Sequence, residues 1–397
     1  MSASTDRLAL TLHRGAIVLT ALALPLLVFG RGAMQAALGV AVLLALAAAW
    51  RGRWPVLDVV RCRPLLLVVG AVALAWLPSV ALSLDPLVSL GGWARTLTLA
   101  AGGMVLWTAL GRDAADRALI FKVLLAASAV AIVAGLVPTL LFDISHPVAR
   151  SMKSKASAFV VMLPLLVYAA RVLGRRWWMV AAVAVLAALG LVLTTGSKSG
   201  LAGLAVACVV VVGLYAVRRR RPWIIILGVV AALALVAQLK PWQRPAVDAE
   251  AEQYRLYLPH ALVDTHRQVI WRFTFEKFLE KPVFGWGVNV INQSPGAGEL
   301  VPGMRQEFIP SHPHSWLVEV SSETGAVGFL ALVAALGWAV LRLGRSYLRG
   351  AGAAPLAGVA TLTIFWSSAA FNFSVWAVWW QLVLITVLGL IFSRRTG

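Results

Sequence analysis

The segment Pro310-Ser-His-Pro-His314-Ser-Trp-Leu sets two histidines immediately before an apolar run. Pro313 suits the first position of a helix, so His314 is expected in that helix's opening turn, at a membrane surface. The positive end of the helix dipole disfavours an imidazolium there. A histidine held neutral near pH 7 can accept a proton, which is what a general base must do. The same helix end attracts anions. Two other roles stay open. His312 and His314 could ligate a metal, although no H-E-x-x-H pattern or third histidine stands at ligand spacing. An interfacial histidine without chemistry is the plainest alternative.

Cations stand at three further places. Residues 143–155 contain His146, Arg150, Lys153 and Lys155, three basic side chains crowded into a short predicted loop. They read either as a site for an anion or as snorkelling residues on the start of a membrane helix. The turn Thr194-Thr-Gly-Ser-Lys198-Ser-Gly200 resembles a phosphate loop only superficially. It lacks the G-x-x-x-x-G-K-S/T spacing and follows no strand, which argues against a nucleotide, but a lone Lys198 between two membrane helices suits an anionic headgroup. Arg267 falls at the start of a short helix. Thr265 and Gln268 form a capping-box pattern, and Ile270, Trp271, Phe273, Phe275 and Phe278 supply a broad apolar face before Pro282 ends it. Such a helix is expected to lie across the tops of membrane helices, with Arg267 one turn before Trp271. The alternative for Arg267 is a solvated charge on a surface helix.

The elements that must position these side chains follow from composition. The chain has 397 residues, 60% hydrophobic and only 13% charged, with a mean hydropathy of +0.85. A soluble domain is about 25% charged and has too little polar surface to cover so much apolar area. The numbers also exclude a disordered or fibrous chain. They describe an all-α polytopic membrane protein. About 20 apolar residues cross the hydrocarbon core. Runs that reach or approach this length occupy 16–29, 33–50, 64–82, 96–110, 118–141, 156–170, 177–193, 201–217, 223–239, 316–341, 354–371 and 375–392. The chain therefore divides into nine transmembrane helices in 1–239, a large polar loop with interfacial helices in 240–315, and three more helices in 316–397. The first run lacks a small-residue cleavage site and reads as a retained span rather than a signal peptide.

Orientation follows from the 35 basic residues, which outnumber 16 acidic ones. Arg51, Arg53, Arg61, Arg63, Arg112, Arg117, Lys122, Arg171, Arg175, Arg176, Arg218–Arg221, Arg342, Arg345, Arg349 and both basic termini fall on one side of a twelve-span arrangement. The positive-inside rule makes that side cytoplasmic. Most of the net charge of +19 thus sets topology and does not point to nucleic acid. Many of the 17 tryptophans sit at span ends, as an aromatic belt requires. Cys62 and Cys208 build neither a disulfide framework nor a thiolate metal site.

Three blocks on the outer side resemble one known family. The run His314-Ser-Trp-Leu-Val-Glu-Val-Ser-Ser-Glu-Thr-Gly325-Ala-Val-Gly328 resembles the H-N-x-x-L…E-x-G-x-x-G signature of the O-antigen ligase and polymerase superfamily. Arg267-Gln-Val-Ile-Trp271…Lys281-Pro-Val-Phe-Gly285-Trp-Gly287 resembles its R-x-x-x-W…P-x-x-G-x-G block. Ser197-Lys198-Ser199 takes the place of its S-R-G/S element, with Lys for the usual Arg, and Ser315 replaces the common Asn.

The resemblance implies an inverting, metal-independent glycosyl transfer without a cofactor, at the periplasmic face of a bacterial inner membrane. The donor it implies is an undecaprenyl-pyrophosphate-linked glycan, and the ligase acceptor is lipid A–core oligosaccharide. Departure of a lipid pyrophosphate needs cations where negative charge develops. Arg267 suits phosphate oxygens through its forked guanidinium, and Lys198 would act as a point charge. Arg150, Lys153 and Lys155 would hold the pyrophosphate or the acceptor's phosphates, and His314 would take the proton from the attacking hydroxyl. The nearest rival is an O-antigen polymerase using the same donor. One dominant outer loop instead of two, and the extra outer cations, favour the ligase. A transporter or flippase would be expected to show repeats, broken spans and midplane ionisable residues, whereas the cations here gather at the outer surface.

Overall fold

A computed structural model describes residues 3–112, 114–238, 253–259 and 263–393. The first part of the polar loop, 239–252, together with 260–262 and the basic C-terminal residues 394–397, lies outside the described residues. Among the described residues there are thirteen α-helices and no strand. They are α1 (Ala3–Leu26), α2 (Arg31–Gly52), α3 (Val59–Ala81), α4 (Pro86–Leu110), α5 (Ala114–Leu141), α6 (Pro147–Leu173) and α7 (Arg175–Thr195). There follow α8 (Lys198–Arg219), α9 (Ile224–Ala237), α10 (Thr265–Glu280), α11 (Trp316–Leu348), α12 (Ala354–Ala369) and α13 (Val378–Ile391). The all-α polytopic fold expected from composition is the one observed.

Eight of these helices (α1, α2, α3, α5, α6, α7, α8 and α11) are long and apolar enough to cross a membrane. α4 has the length, 25 residues, but Arg95 and its glycines and threonines dilute its hydropathy. The apolar α9, α12 and α13 have only 14, 16 and 14 residues, or about 21–24 Å at ~1.5 Å per residue. α12 and α13 are short because eight residues between them leave the helix and fold back into the bundle. Irregular backbone at this depth is tolerated only when buried in protein or lining a cavity.

Apart from α10, successive helices reverse direction. α2, α4, α6, α8, α11 and α13 begin at one end of the bundle, and α1, α3, α5, α7, α9 and α12 begin at the other. Contacts between far-apart residues tie each end together. At the first, Leu84 N–H donates to Trp286 O at 2.8 Å. At the second, Trp107 Nε1 donates to Phe392 O at 2.7 Å and the Arg218 guanidinium lies 4.5 Å from the Tyr347 ring centroid. α6 is the most deeply buried span, surrounded by a core that includes Phe121, Phe159, Phe365, Trp376 and Trp380.

Two sequence-based details are corrected. Arg150, Lys153 and Lys155 do not lie in a loop. α6 already begins at Pro147, with His146 as its N-cap, so the three cations ride on its first turns. The cap of α10 is Asp264, not Thr265: Asp264 Oδ1 accepts from Arg267 N–H at 3.0 Å. Gln268 is instead fully buried and bridges backbone, donating to Leu258 O and Val263 O and accepting from Leu258 N–H. That bridge and a small core of Val263, Ile270, Trp271, Trp286, Ile291 and Ile309 seat α10 against α11.

Candidate active site

α11 is broken near its start. Gly325 has φ 63° and ψ −174°, a conformation essentially confined to glycine. The break opens the helix's backbone to the segment 282–287. Trp286 N–H donates to Ser322 O at 2.9 Å and Gly287 N–H to Glu323 O at 2.9 Å. In return, Ala326 N–H donates to Pro282 O at 2.7 Å and Val327 N–H to Val283 O at 3.2 Å. The approach leaves no room for side chains: a Cβ on Gly325 would lie 2.2 Å from Val283 O, and one on Gly285 2.4 Å from Glu323 O. The glycines of the two sequence blocks thus lock α11 to the loop that follows α10.

A second irregular segment, 370–377 between α12 and α13, is held mainly by side chains. Arg267 Nη1 donates to Phe371 O at 2.7 Å. His312 Nε2 and His314 Nδ1 meet Asn372 O at 3.2 and 2.9 Å. Glu319 accepts from Val375 N–H at 2.9 Å, Gln381 Nε2 donates to Val375 O at 2.8 Å, and Arg95 donates to Trp376 O at 3.3 Å. Glu323 accepts from Trp376 Nε1 and from the backbone N–H groups of Asn289 and Ile291 at 2.9 and 3.2 Å. The two glutamates, both about 1% exposed, satisfy backbone donors that membrane depth would otherwise leave unpaired. The sequence reading gave neither a role; acids within an apolar run were the available signal.

His314 lies outside α11, which begins at Trp316 with Ser315 as N-cap. Its φ of 57° is left-handed, and this reversal turns the imidazole toward segment 370–377, while Trp271 Nε1 holds Pro313 O at 2.9 Å. A carbonyl only accepts, so Nδ1 of His314 carries the proton and Nε2 presents a lone pair. Among the described residues Nε2 has no hydrogen-bond partner. His312 differs: Nε2 donates to Asn372 O and Nδ1 accepts from Ser311 Oγ at 3.0 Å, so both nitrogens are engaged. Burial, then the neighbouring His312 and Arg267, push the His314 pKa down to about 4. His312 is lowered as well, mainly by burial. Burial and the nearby Arg267 charge thus keep His314 neutral. The rings lie 4.1 Å apart, and among the described residues no group of three His, Cys, Asp or Glu side chains is placed to hold a metal.

Arg267 engages three of its five N–H groups. Nη1 and Nη2 meet Phe371 O and Asn372 Oδ1 at 2.7 and 3.4 Å, and Nε meets Asp264 Oδ2 at 3.3 Å. One N–H on each terminal nitrogen remains for a ligand. Lys198 opens α8 after the left-handed Gly196 ends α7. Ser157 Oγ lies 2.9 Å from both Ser197 Oγ and Ser199 Oγ, pinning this turn to α6. Lys153, Arg267 and Asp264 each lie within electrostatic reach of Lys198, and Arg267 and Asp264 also within reach of His314, so Arg267 links the lysines to the histidine although the motifs are far apart in sequence. Lys155 points elsewhere, donating to Val28 O at 2.9 Å and sharing a field with Arg31. Arg150 is exposed. Arg31, whose charge also reaches His312, was not singled out as a site residue; a lone arginine in a short outer loop was its signal.

These residues coincide with a family match. Residues 183–333 match the O-antigen ligase family. That stretch contains Lys198, Arg267, His314, Glu323 and both glycine blocks, so the likeness carried by the motifs is shown for residues 183–333, while Lys153 and segment 370–377 lie outside the match. A Rickettsia conorii protein named as a polysaccharide ligase is 26% identical over 136 residues. The alignment covers 33% of this chain and 31% of that protein, so about a third of the relative is spanned. The O-antigen ligase match supports an enzyme acting on polysaccharide, and the apolar helices place it in a membrane as a multi-pass protein.

Proposed function

We propose that this protein transfers a glycan from undecaprenyl pyrophosphate to lipid A–core oligosaccharide at the periplasmic face of a bacterial inner membrane. The observation that carries the reading is His314 Nε2, an unprotonated nitrogen within reach of the Arg267 charge, which in turn reaches Lys198. The acceptor hydroxyl gives its proton to Nε2 as its oxygen attacks the anomeric carbon from the face opposite the leaving group. The bond to the pyrophosphate oxygen breaks, and that oxygen leaves with the electron pair. The forked N–H groups of Arg267 and the Lys198 ammonium receive the developing charge, an interaction that strengthens toward the transition state. Asn372 O keeps Nδ1–H in place throughout, as the orienting partner of a catalytic histidine must. Both termini then face the cytoplasm, in keeping with the basic residues at the opposite end of the bundle.

The test is reconstitution with labelled donor and three acceptor conditions: lipid A–core, donor alone, and a pilin-type protein. Labelled lipid A–core is the expected product. Elongated donor with unlabelled lipid A–core would identify a polymerase, and donor crossing vesicles that lack acceptor would identify a transporter. Transfer is expected to survive exhaustive chelation; loss that added divalent cation restores would overturn the metal-independent mechanism.

A further inference from the structure

Arg31 and Lys155 form a pair of like charges that the transfer reaction does not use. Arg31 is the first residue of α2, and its guanidinium carbon lies 4.5 Å from the Trp379 ring centroid. Lys155 approaches from α6 and lies within electrostatic reach of Arg31. Among the described residues neither has a carboxylate within ion-pair distance. Two adjacent cations at a membrane surface repel each other until an anion sits between them.

Below them lies an apolar groove of about 290 Å³ between α2, α4 and α13, lined by Gln35, Gly39, Thr98, Gly102, Leu382 and Ile385 among others. Helix periodicity fixes its position relative to the charges. Gln35 lies one turn below Arg31, Leu382 one turn below Trp379, and Thr98 one turn below Arg95. The groove opens outward at Gly39, where an added Cβ would meet no atom within 4 Å. Charge thus sits at one end of an apolar groove that runs about two turns along α2, from Gln35 to Val42.

We propose that this is a binding site for an anionic glycerophospholipid of the surrounding membrane, with its phosphodiester between Arg31 and Lys155 and one acyl chain in the groove. Charge favours a phosphodiester over the donor's pyrophosphate. The Lys198, Lys153 and Arg267 group is the more heavily cationic, whereas Lys155 already gives one N–H to Val28 O.

The full chain in nanodiscs of phosphatidylcholine, with and without phosphatidylglycerol, provides the test. Retained lipid is read by native mass spectrometry and stability by thermal unfolding. One phosphatidylglycerol per chain is expected to be retained and to raise the unfolding midpoint. Arg31→Gln and Lys155→Gln each remove a charge-assisted contact, so retention should weaken about tenfold. Gly39→Leu, whose Cβ enters open space, should block the chain while leaving helical content unchanged. Equal retention of the two lipids would overturn the proposal, as would undiminished phosphatidylglycerol retention in the variants. Stoichiometric displacement by undecaprenyl phosphate would assign the groove to the polyprenyl carrier instead. None of these readouts depends on glycan transfer.

Discussion

His314 combines two properties that usually oppose each other: it is poised to accept a proton, yet its surroundings disfavour the protonated form. The pKa lowered to about 4 means that the neutral base persists above that value and is lost only as pH falls through it. In the free enzyme, kcat/KM should therefore stay level from neutral pH downward and decline with an apparent pKa of about 4. In kcat the value should rise, because the bound pyrophosphate offsets the charge of Arg267. A kcat/KM profile that declines near pH 6.5 would remove His314 from the role. His314→Ala should lower single-turnover transfer by about 10²–10⁴-fold, the usual contribution of a positioned base. Arg267→Lys keeps the charge but loses the fork, and should weaken donor use by roughly tenfold or more, seen as a fall in kcat/KM for donor.

At the scale of elements, two breaks organise the site: Gly325 within α11 and segment 370–377 between α12 and α13. Gly325→Ala adds a Cβ that would lie 2.2 Å from Val283 O in a backbone conformation that alone costs about 1–3 kcal/mol. It should lower the thermal midpoint and the transfer rate together. Glu323→Ala leaves three donors without their acceptor, the N–H groups of Asn289 and Ile291 and Trp376 Nε1, at about 1–3 kcal/mol for each that is buried. Circular dichroism melts in detergent would check both substitutions. The sequence made the hydrophobic helices legible because hydropathy is a local property, and it made Arg267, Lys198 and His314 legible because their motifs are compact. It did not disclose that 282–287 pairs with the broken turn of α11, since that pairing joins backbones about 40 residues apart. Nor did it reveal Arg31, whose charge comes within reach of His312 and Lys155 only after α2, α6 and the loop before α11 converge. The helical start of His314 failed for a definite reason: Pro313 permits a helix, but the contact with Asn372 O requires the left-handed turn.

For the whole molecule, charge asymmetry and alternation of helix direction make one joint prediction. In a chain whose native Cys62 and Cys208 are replaced by alanine, Arg305→Cys should react with an impermeant maleimide in intact spheroplasts. Arg349→Cys should react only after permeabilisation. Both positions are exposed, at opposite ends of the bundle, and the reverse labelling pattern would invert the orientation. Segment 370–377, which meets both histidines through one backbone atom, has a further consequence. The atom that fixes the tautomer of His314 is Asn372 O, a main-chain atom that every amino acid possesses. Substitution of Asn372 would therefore remove its side-chain contact with Arg267 while leaving the acceptor of His314 Nδ1–H in place. Part of the arrangement around His314 is thus written in the main chain, where side-chain scanning does not reach.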